Sequence, residues 1–257
     1  MESERYNSQY QEDIINMKKI ISAAVVALML APTGVQAKTQ SINIVTGIKS
    51  KYGTETFTYN KDGFVKKIKD GAKFKYKNGK IVSMNDDGTE TFTYRNNTLA
   101  KVNGKKVTKS HGTMKILNEN MKEETSPKGT LYTYKLKKAV GWATKSSFLL
   151  NKKGQLIYGY DKTCNYKFAY DQKGYTTFSL SVYDDTGAGP TVYKYKNTYK
   201  NGLLTYRKAK VNAESTDSTD YEKLTYKKMR VRNAKAVMKQ QKALINHYPD
   251  IALIFAQ

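Results

Sequence analysis

The seven residues Gly-Thr-Glu-Thr-Phe-Thr-Tyr occur twice in this chain, at 53–59 and again at 88–94. No other feature limits the fold as strongly, because an internal repeat means that one structural unit is built several times over. Halfway between the copies lies a weaker one, Lys73-Phe74-Lys75-Tyr76. The unit is therefore about 17 residues long. Looser copies follow at Leu131-Tyr132-Thr133-Tyr134, Tyr166-Lys167-Phe168-Ala169-Tyr170, Val192-Tyr193-Lys194-Tyr195 and Leu224-Thr225-Tyr226. Each puts large side chains at i and i+2, mostly with Thr or Lys between them. A period of two is the period of a β-strand, so these segments are strands with one aromatic and one polar face. Phe57, Tyr59, Phe74, Tyr76, Phe92, Tyr94, Phe168 and Tyr170 are expected to line one shared face.

Most of the strands run into a turn signal: Asn60-Lys61-Asp62-Gly63, Lys77-Asn78-Gly79, Asn151-Lys152-Lys153-Gly154, Asp171-Gln172-Lys173-Gly174 and Lys200-Asn201-Gly202. Asn and Gly tolerate the positive φ that tight hairpins demand. A second strand then follows, as in Phe64-Val65-Lys66-Lys67-Ile68. The repeating element is a β-hairpin of about 17 residues, and since a lone hairpin is barely stable in water, successive hairpins pair edge to edge. The expected fold class is all-β, an antiparallel meander of these hairpins with a C-terminal helix. That helix begins after Asn233, an N-cap residue, and runs through the Ala-, Lys-, Gln- and Leu-rich stretch to His247. Its apolar stripe, Val237, Leu244 and Ile245, is interrupted by Gln241, and it packs on the aromatic face or caps an open sheet edge. The segment 214–220, made only of Ser, Thr and acidic residues, reads as a loop before the last strand.

Here the chain resembles a known family. Tyr170-Asp171-Gln172-Lys173-Gly174 and Tyr59-Asn60-Lys61-Asp62-Gly63-Phe64-Val65-Lys66-Lys67-Ile68 resemble the tyrosine-aspartate (YD) repeat of bacterial surface and secreted proteins. The Tyr-Asp-x-x-Gly spacing recurs at Tyr183-Asp184-Asp185-Thr186-Gly187, and elsewhere Asn or Lys replaces the Asp. The resemblance spans roughly residues 52–206 and implies an exported β-repeat protein. It transfers no enzymatic activity, because the toxin domain that large members enclose has no counterpart here. Choline- and glucan-binding wall repeats are hairpins of similar length, but they use Trp-Tyr pairs and Trp142 is the sole Trp of this chain.

The start of the chain carries its own signal. Met17-Lys18-Lys19 is a positive n-region, 20–30 is a short apolar run, and Val35-Gln36-Ala37 places small residues at a cleavage site. The expected organisation is an upstream extension at 1–16, a signal peptide at 17–37 cut after Ala37, a β-hairpin repeat domain at 38–232, and a C-terminal helix with an apolar tail at 233–257. The protein is thus expected to be secreted or held at the cell surface. With Cys164 as its one cysteine it forms no internal disulfide, so core and backbone pairing must hold it together.

Three of the 45 basic and four of the 22 acidic side chains fall within residues 1–37, which leaves 42 against 18 and a net charge of +24 for the rest. Such a surface attracts polyanions by long-range, salt-sensitive steering. Only five of the basic residues are Arg, the residue that grips base edges and phosphates bidentately, so sequence-specific nucleic-acid recognition is not expected. The expected partners are anionic cell-wall polymer, glycan or membrane surface. The lysines that alternate with or flank the aromatics, Lys73, Lys75, Lys77, Lys194, Lys196 and Lys200, are the candidate polyanion-binding residues, set against the plainer role of keeping strands soluble.

Catalytic chemistry is thin. His111 falls in the turn Ser110-His111-Gly112 and His247 near a helix end, where a cation suits the dipole. Cys164 becomes a nucleophile only beside a histidine, and fits better as a small buried strand residue. Asp86-Asp87 and Asp184-Asp185 are turn residues before Gly88 and Gly187. Glu214, Asp217 and Asp220 lack calcium-loop spacing. No catalytic residue, metal site or cofactor is expected. Two readings remain: a non-catalytic exported protein that binds anionic polymers or serves a structural role, and a secreted hydrolase of wall or host polysaccharide, which would show a cleft with two close acidic side chains or a His–Cys pair.

Overall fold

The computed structural model describes residues 39–86, 88–140, 143–183, 189–213 and 216–247. The signal peptide and extension at 1–37, the tail at 248–257, Asp87, Trp142, the Asp184-Asp185 pair and Glu214 lie outside the described residues.

Alternating residues become alternating faces. β1 (Gln40–Ser50), β2 (Gly53–Tyr59), β3 (Val65–Ile68), β4 (Lys73–Lys77), β5 (Lys80–Asp86), β6 (Gly88–Arg95), β7 (Thr98–Val102) and β8 (Lys105–Gly112) pair antiparallel in chain order. A short separate hairpin follows, β9 (Lys115–Leu117) with β10 (Glu123–Thr125). The meander resumes with β11 (Gly129–Val140), β12 (Ala143–Leu150), β13 (Leu156–Asp161), β14 (Cys164–Tyr170), β15 (Thr176–Tyr183), β16 (Thr191–Lys200), β17 (Leu203–Ala213) and β18 (Thr216–Val231). β11 pairs with β8, and β1 pairs with both β2 and β18, so sixteen strands close into a barrel. The sheet is the expected antiparallel meander, and closure leaves it no free edge for a terminal helix to cap.

A barrel of sixteen strands encloses more space than ordinary side chains fill. This chain fills it partly with aromatics. Phe57, Phe74, Phe92, Phe148 and Phe168 are buried in one core, with Tyr59, Tyr76, Tyr94 and Tyr170 packed against them. The repeat tyrosines also carry a polar duty. The ladder slips by one residue at Tyr59, Tyr76, Tyr94, Tyr170 and Tyr199, a bulge that bends the strand toward its turn. The Tyr76 hydroxyl donates to the Val65 carbonyl at 2.6 Å and that of Tyr226 to Leu204 at 2.7 Å. Tyr59 and Tyr170 reach Val45 and Leu156 in the same way. At Tyr59, Tyr76, Tyr170 and Tyr226 the ring joins the core while the hydroxyl satisfies a carbonyl of the preceding strand, whereas Tyr199 turns its hydroxyl to Asp171.

The turns show why Asn and Asp interchange in the repeat. Asn60 Oδ1 accepts from Asp62 N and Phe64 N, Asn151 Oδ1 from Lys153 N and Gln155 N, and Asp171 Oδ1 from Lys173 N and Tyr175 N. One side-chain oxygen closes the turn, and either residue supplies it. Gly63 follows in one of these turns at φ +90°, where a Cβ would stand 2.3 Å from the Val231 side chain, so no larger residue fits there.

The helix α1 (Ala234–Ile245) lies across the barrel mouth that holds these turns. Asn233 caps it, its side chain accepting from Ala236 N. Val237, Gln240, Gln241, Leu244 and Ile245 form one buried stripe at i, i+3, i+4 spacing. Gln241 is no interruption of that stripe. Its Oε1 accepts from Val45 N at 2.8 Å, beside the bulge of β1, while Gln240 Oε1 accepts from Val65 N at 3.0 Å. Just past the helix, Asn246 Oδ1 takes Thr176 N at 2.9 Å. Bulges free backbone N–H groups that a dry core must pair, and three amides at this helix end pair them.

The loop expected at 214–220 is corrected over its described residues. Ser218, Thr219 and Asp220 are strand, not loop: β18 starts at Thr216 and pairs with β17, Lys210 opposite Thr219. The ladder with a long neighbour outweighs the weak strand preference of Ser and Asp.

Candidate functional site

The six candidate lysines are all exposed, on the outer wall. Their neighbours Phe74 and Tyr76, or Tyr195 and Tyr199, point inward, so alternation sends the lysines out. Closure does not unite them. Lys73, Lys75 and Lys77 lie on β4 and Lys194, Lys196 and Lys200 on β16, with five strands between. What the sequence does not reveal is the register: Lys194 stands directly opposite Lys210, and Lys196 opposite Lys208. Beside this quartet two exposed tyrosines, Tyr206 and Tyr221, stack at 6.4 Å. Like charges directly opposite on one face destabilise a sheet. Among the described residues, no ion pair engages this quartet.

The two mouths differ in chemistry. At the helix end a second stripe of α1, Lys235, Met238, Lys239 and Lys242, faces Lys153 and Lys173 on the β12–β13 and β14–β15 turns across a groove of about 530 Å³. Among the described residues no carboxylate lines it. Burial, with Lys235 nearby, lowers the pKa of Lys239. A neighbouring groove shares Gly154 and Lys239 and adds Lys80, Lys109 and Lys152. Sequence reasoning missed these lysines, because 150–154, 172–174 and 234–242 meet only once the helix lies over the turns.

At the opposite mouth is a cavity of about 620 Å³ lined by Tyr166, Phe168, Tyr193, Tyr195, Ser179 and Ser181, with Glu55, Asp70, Asp220 and Glu222 as its acids and Lys69 and His247 beside them. At its floor the fully buried Arg207 donates Nε to Glu222 Oε2 at 2.7 Å, gives Nη2 to the Ile245 carbonyl, and lies 4.6 Å from the Tyr195 ring. His247 Nε2 stands 2.9 Å from Glu222 Oε1. Burial acts against the Glu222 charge, but His247 and Arg207 outweigh it and hold the carboxyl at about 2. Burial likewise pushes the Tyr195 hydroxyl up to about 12.

The remaining sequence candidates are placed plainly. Cys164 is a buried residue of β14, and burial pushes its thiol up. His111 belongs to strand β8 opposite Thr130, not to a turn, because pairing with β11 continues to Gly112. Asp86 ends β5 and is exposed. Among the described residues no group of three or more His, Cys, Asp or Glu is placed to hold a metal ion, and no helix is long and apolar enough to cross a membrane. On β2, β4 and β6 the side chains flanking the buried Phe57, Phe74 and Phe92 are Thr or Lys.

No family model matches the chain, and neither does any curated protein. A porin-like protein from Bacteroides uniformis ATCC 8492 is similar in structure, with a TM-score of 0.37 and 13% identity over 74% of this chain and 96% of that one.

Proposed function

We propose that this is an exported, non-catalytic β-barrel that binds anionic polymers at the cell surface through its lysine-bearing wall. The observation that carries it is the pairing of Lys194 with Lys210 and Lys196 with Lys208. Solubility asks only for scattered charge, whereas stacked like charges raise a local potential that a polyanion relieves. The exposed Tyr206–Tyr221 stack offers a flat apolar face beside them, suited to a sugar ring. The resemblance of the hairpins to the YD repeat of bacterial surface proteins supports the same reading. Titration of the chain against a teichoic-acid-like polyanion at rising salt tests it. Binding should weaken steeply as salt rises, because each lysine–phosphate contact releases counterions. Charge removal in K194Q/K196Q/K208Q/K210Q should flatten that salt dependence, and an unchanged dependence would leave these lysines to solubility alone.

The hydrolase reading keeps one observation in its favour, the cavity that holds both Asp220 and Glu222. Against it, a general acid needs a raised pKa, whereas Glu222 is held at about 2 by its partners. Turnover of wall polysaccharide that E222Q abolishes while the fold persists would favour it.

A further inference from the structure

The groove at the helix end has properties that the barrel's stability does not require. Five lysines converge on it from three separate segments: Lys153, Lys173, and the α1 residues Lys235, Lys239 and Lys242. Lys235 sits in the first helical turn, where there is no acidic residue and a cation opposes the helix dipole. Lys242 and Lys173 are held in place, Lys242 Nζ donating to the Lys173 carbonyl at 2.6 Å and Lys173 Nζ lying 3.9 Å from the Tyr199 ring centre. Lys239 is partly buried and its charge is disfavoured there. An arriving anion would relieve each of these costs at once. The groove's volume, about 530 Å³, falls in the range of small-molecule sites.

We propose that this groove is a discrete binding site for a compact, multiply charged phosphate-bearing ligand. Lysine ammonium groups are compact point charges that can meet the oxygens of a phosphate from several directions at once. Met238, half exposed at the groove, gives the uncharged part of such a ligand an apolar contact. The site is distinct from the wall quartet and does not depend on the wall's binding polymer.

Calorimetric titration of the full chain with inorganic tripolyphosphate tests the proposal. The expected result is saturable binding at one ligand per chain, weakened by about tenfold or more in K153Q/K239Q. The circular dichroism spectrum of that variant should match the parent, since neither side chain belongs to the core. The wall variant K194Q/K196Q/K208Q/K210Q should keep the one-site binding. Failure of the wall reading would therefore leave this result standing, and the reverse also holds. Absence of saturable binding, or binding that K153Q/K239Q leaves unchanged, overturns the proposal. Co-sedimentation with vesicles containing phosphatidic acid separates the sources. Capture that needs Lys153 and Lys239 assigns a lipid headgroup, and tripolyphosphate binding without capture assigns a free or polymer-borne phosphate.

Discussion

The two mouths of this barrel are made from the same hairpins and end up chemically opposite. At the helix end the turns are closed by Asn60, Asn151 and Asp171, the strands carry bulges at their tyrosines, and Gln240 and Gln241 of α1 with Asn246 just past it answer the bulges. That mouth is shut and lined by lysine. The other mouth keeps a cavity of about 620 Å³ with four acidic side chains. The difference shows that the repeat itself is neutral as to function. Repetition supplies the wall, and the chemistry enters through what breaks the repetition: a helix at one end, and inward Asp220 and Glu222 in the late strands at the other.

Substitutions at the two ends should therefore have unequal effects. The largest is expected in the plug, where Leu244→Ala should lower stability by about 2–5 kcal/mol, read from the denaturant midpoint. Tyr193→Ala in the cavity wall should cost clearly less, and equal losses would mean that the open mouth is as tightly packed as the closed one. Next comes pH. The folded pKa of Glu222 is depressed, so its ion pairs contribute stability that is fully present above the ordinary carboxylate pKa and lost as pH falls toward about 2. The depression corresponds to roughly 3 kcal/mol. E222Q should remove that pH dependence, so that parent and variant differ most at neutral pH and converge toward pH 2. A gap that stays constant from neutral pH down to pH 2 would break this account.

A smaller effect is expected for Gln241→Leu, which keeps the apolar stripe but strands the Val45 N–H, at about 1–3 kcal/mol. Hydrogen exchange at Val45 should rise with it. Smallest of all is the wall between the mouths. Lys210→Glu converts a like-charged pair with Lys194 into an opposite-charged one and should stabilise by a few tenths of a kcal/mol up to about 1 kcal/mol at low salt. That gain should fade as salt rises.

The wall was legible because it depends on local rules. A period of two, an Asn or Asp before Gly, and a tyrosine ahead of most of the helix-end turns are short-range signals that specify faces and hairpins, and the Asn233 cap with the Ala-, Lys- and Gln-rich stretch after it specifies the helix. The sites were not legible, because they depend on register and closure. Lys194 and Lys196 stand out in the sequence, but Lys208 and Lys210 become their neighbours only through the β16–β17 ladder. Gln241 looks like a flaw in an apolar stripe until the bulge of β1 is placed against it. Asp220 falls in a stretch with the composition of a loop, and only its pairing with Ala209 makes it an inward strand residue.

The seam between β1 and β18 has a consequence in time. Ile44 lies opposite Lys227, and Val45 opposite Tyr226, so the ring closes through partners drawn from the two ends of the meander. Closure at such sequence separation is slow. Every hairpin can form as it emerges, but each early strand pair keeps a raw edge until the last strand arrives. During that interval the two identical seven-residue strands at 53–59 and 88–94 are interchangeable templates for a wandering neighbour. The bulge falls at the same tyrosine in both copies, so the differing turns that follow, Asn60-Lys61-Asp62-Gly63 and Asn96-Asn97, are what tells one strand from the other while the ring is open.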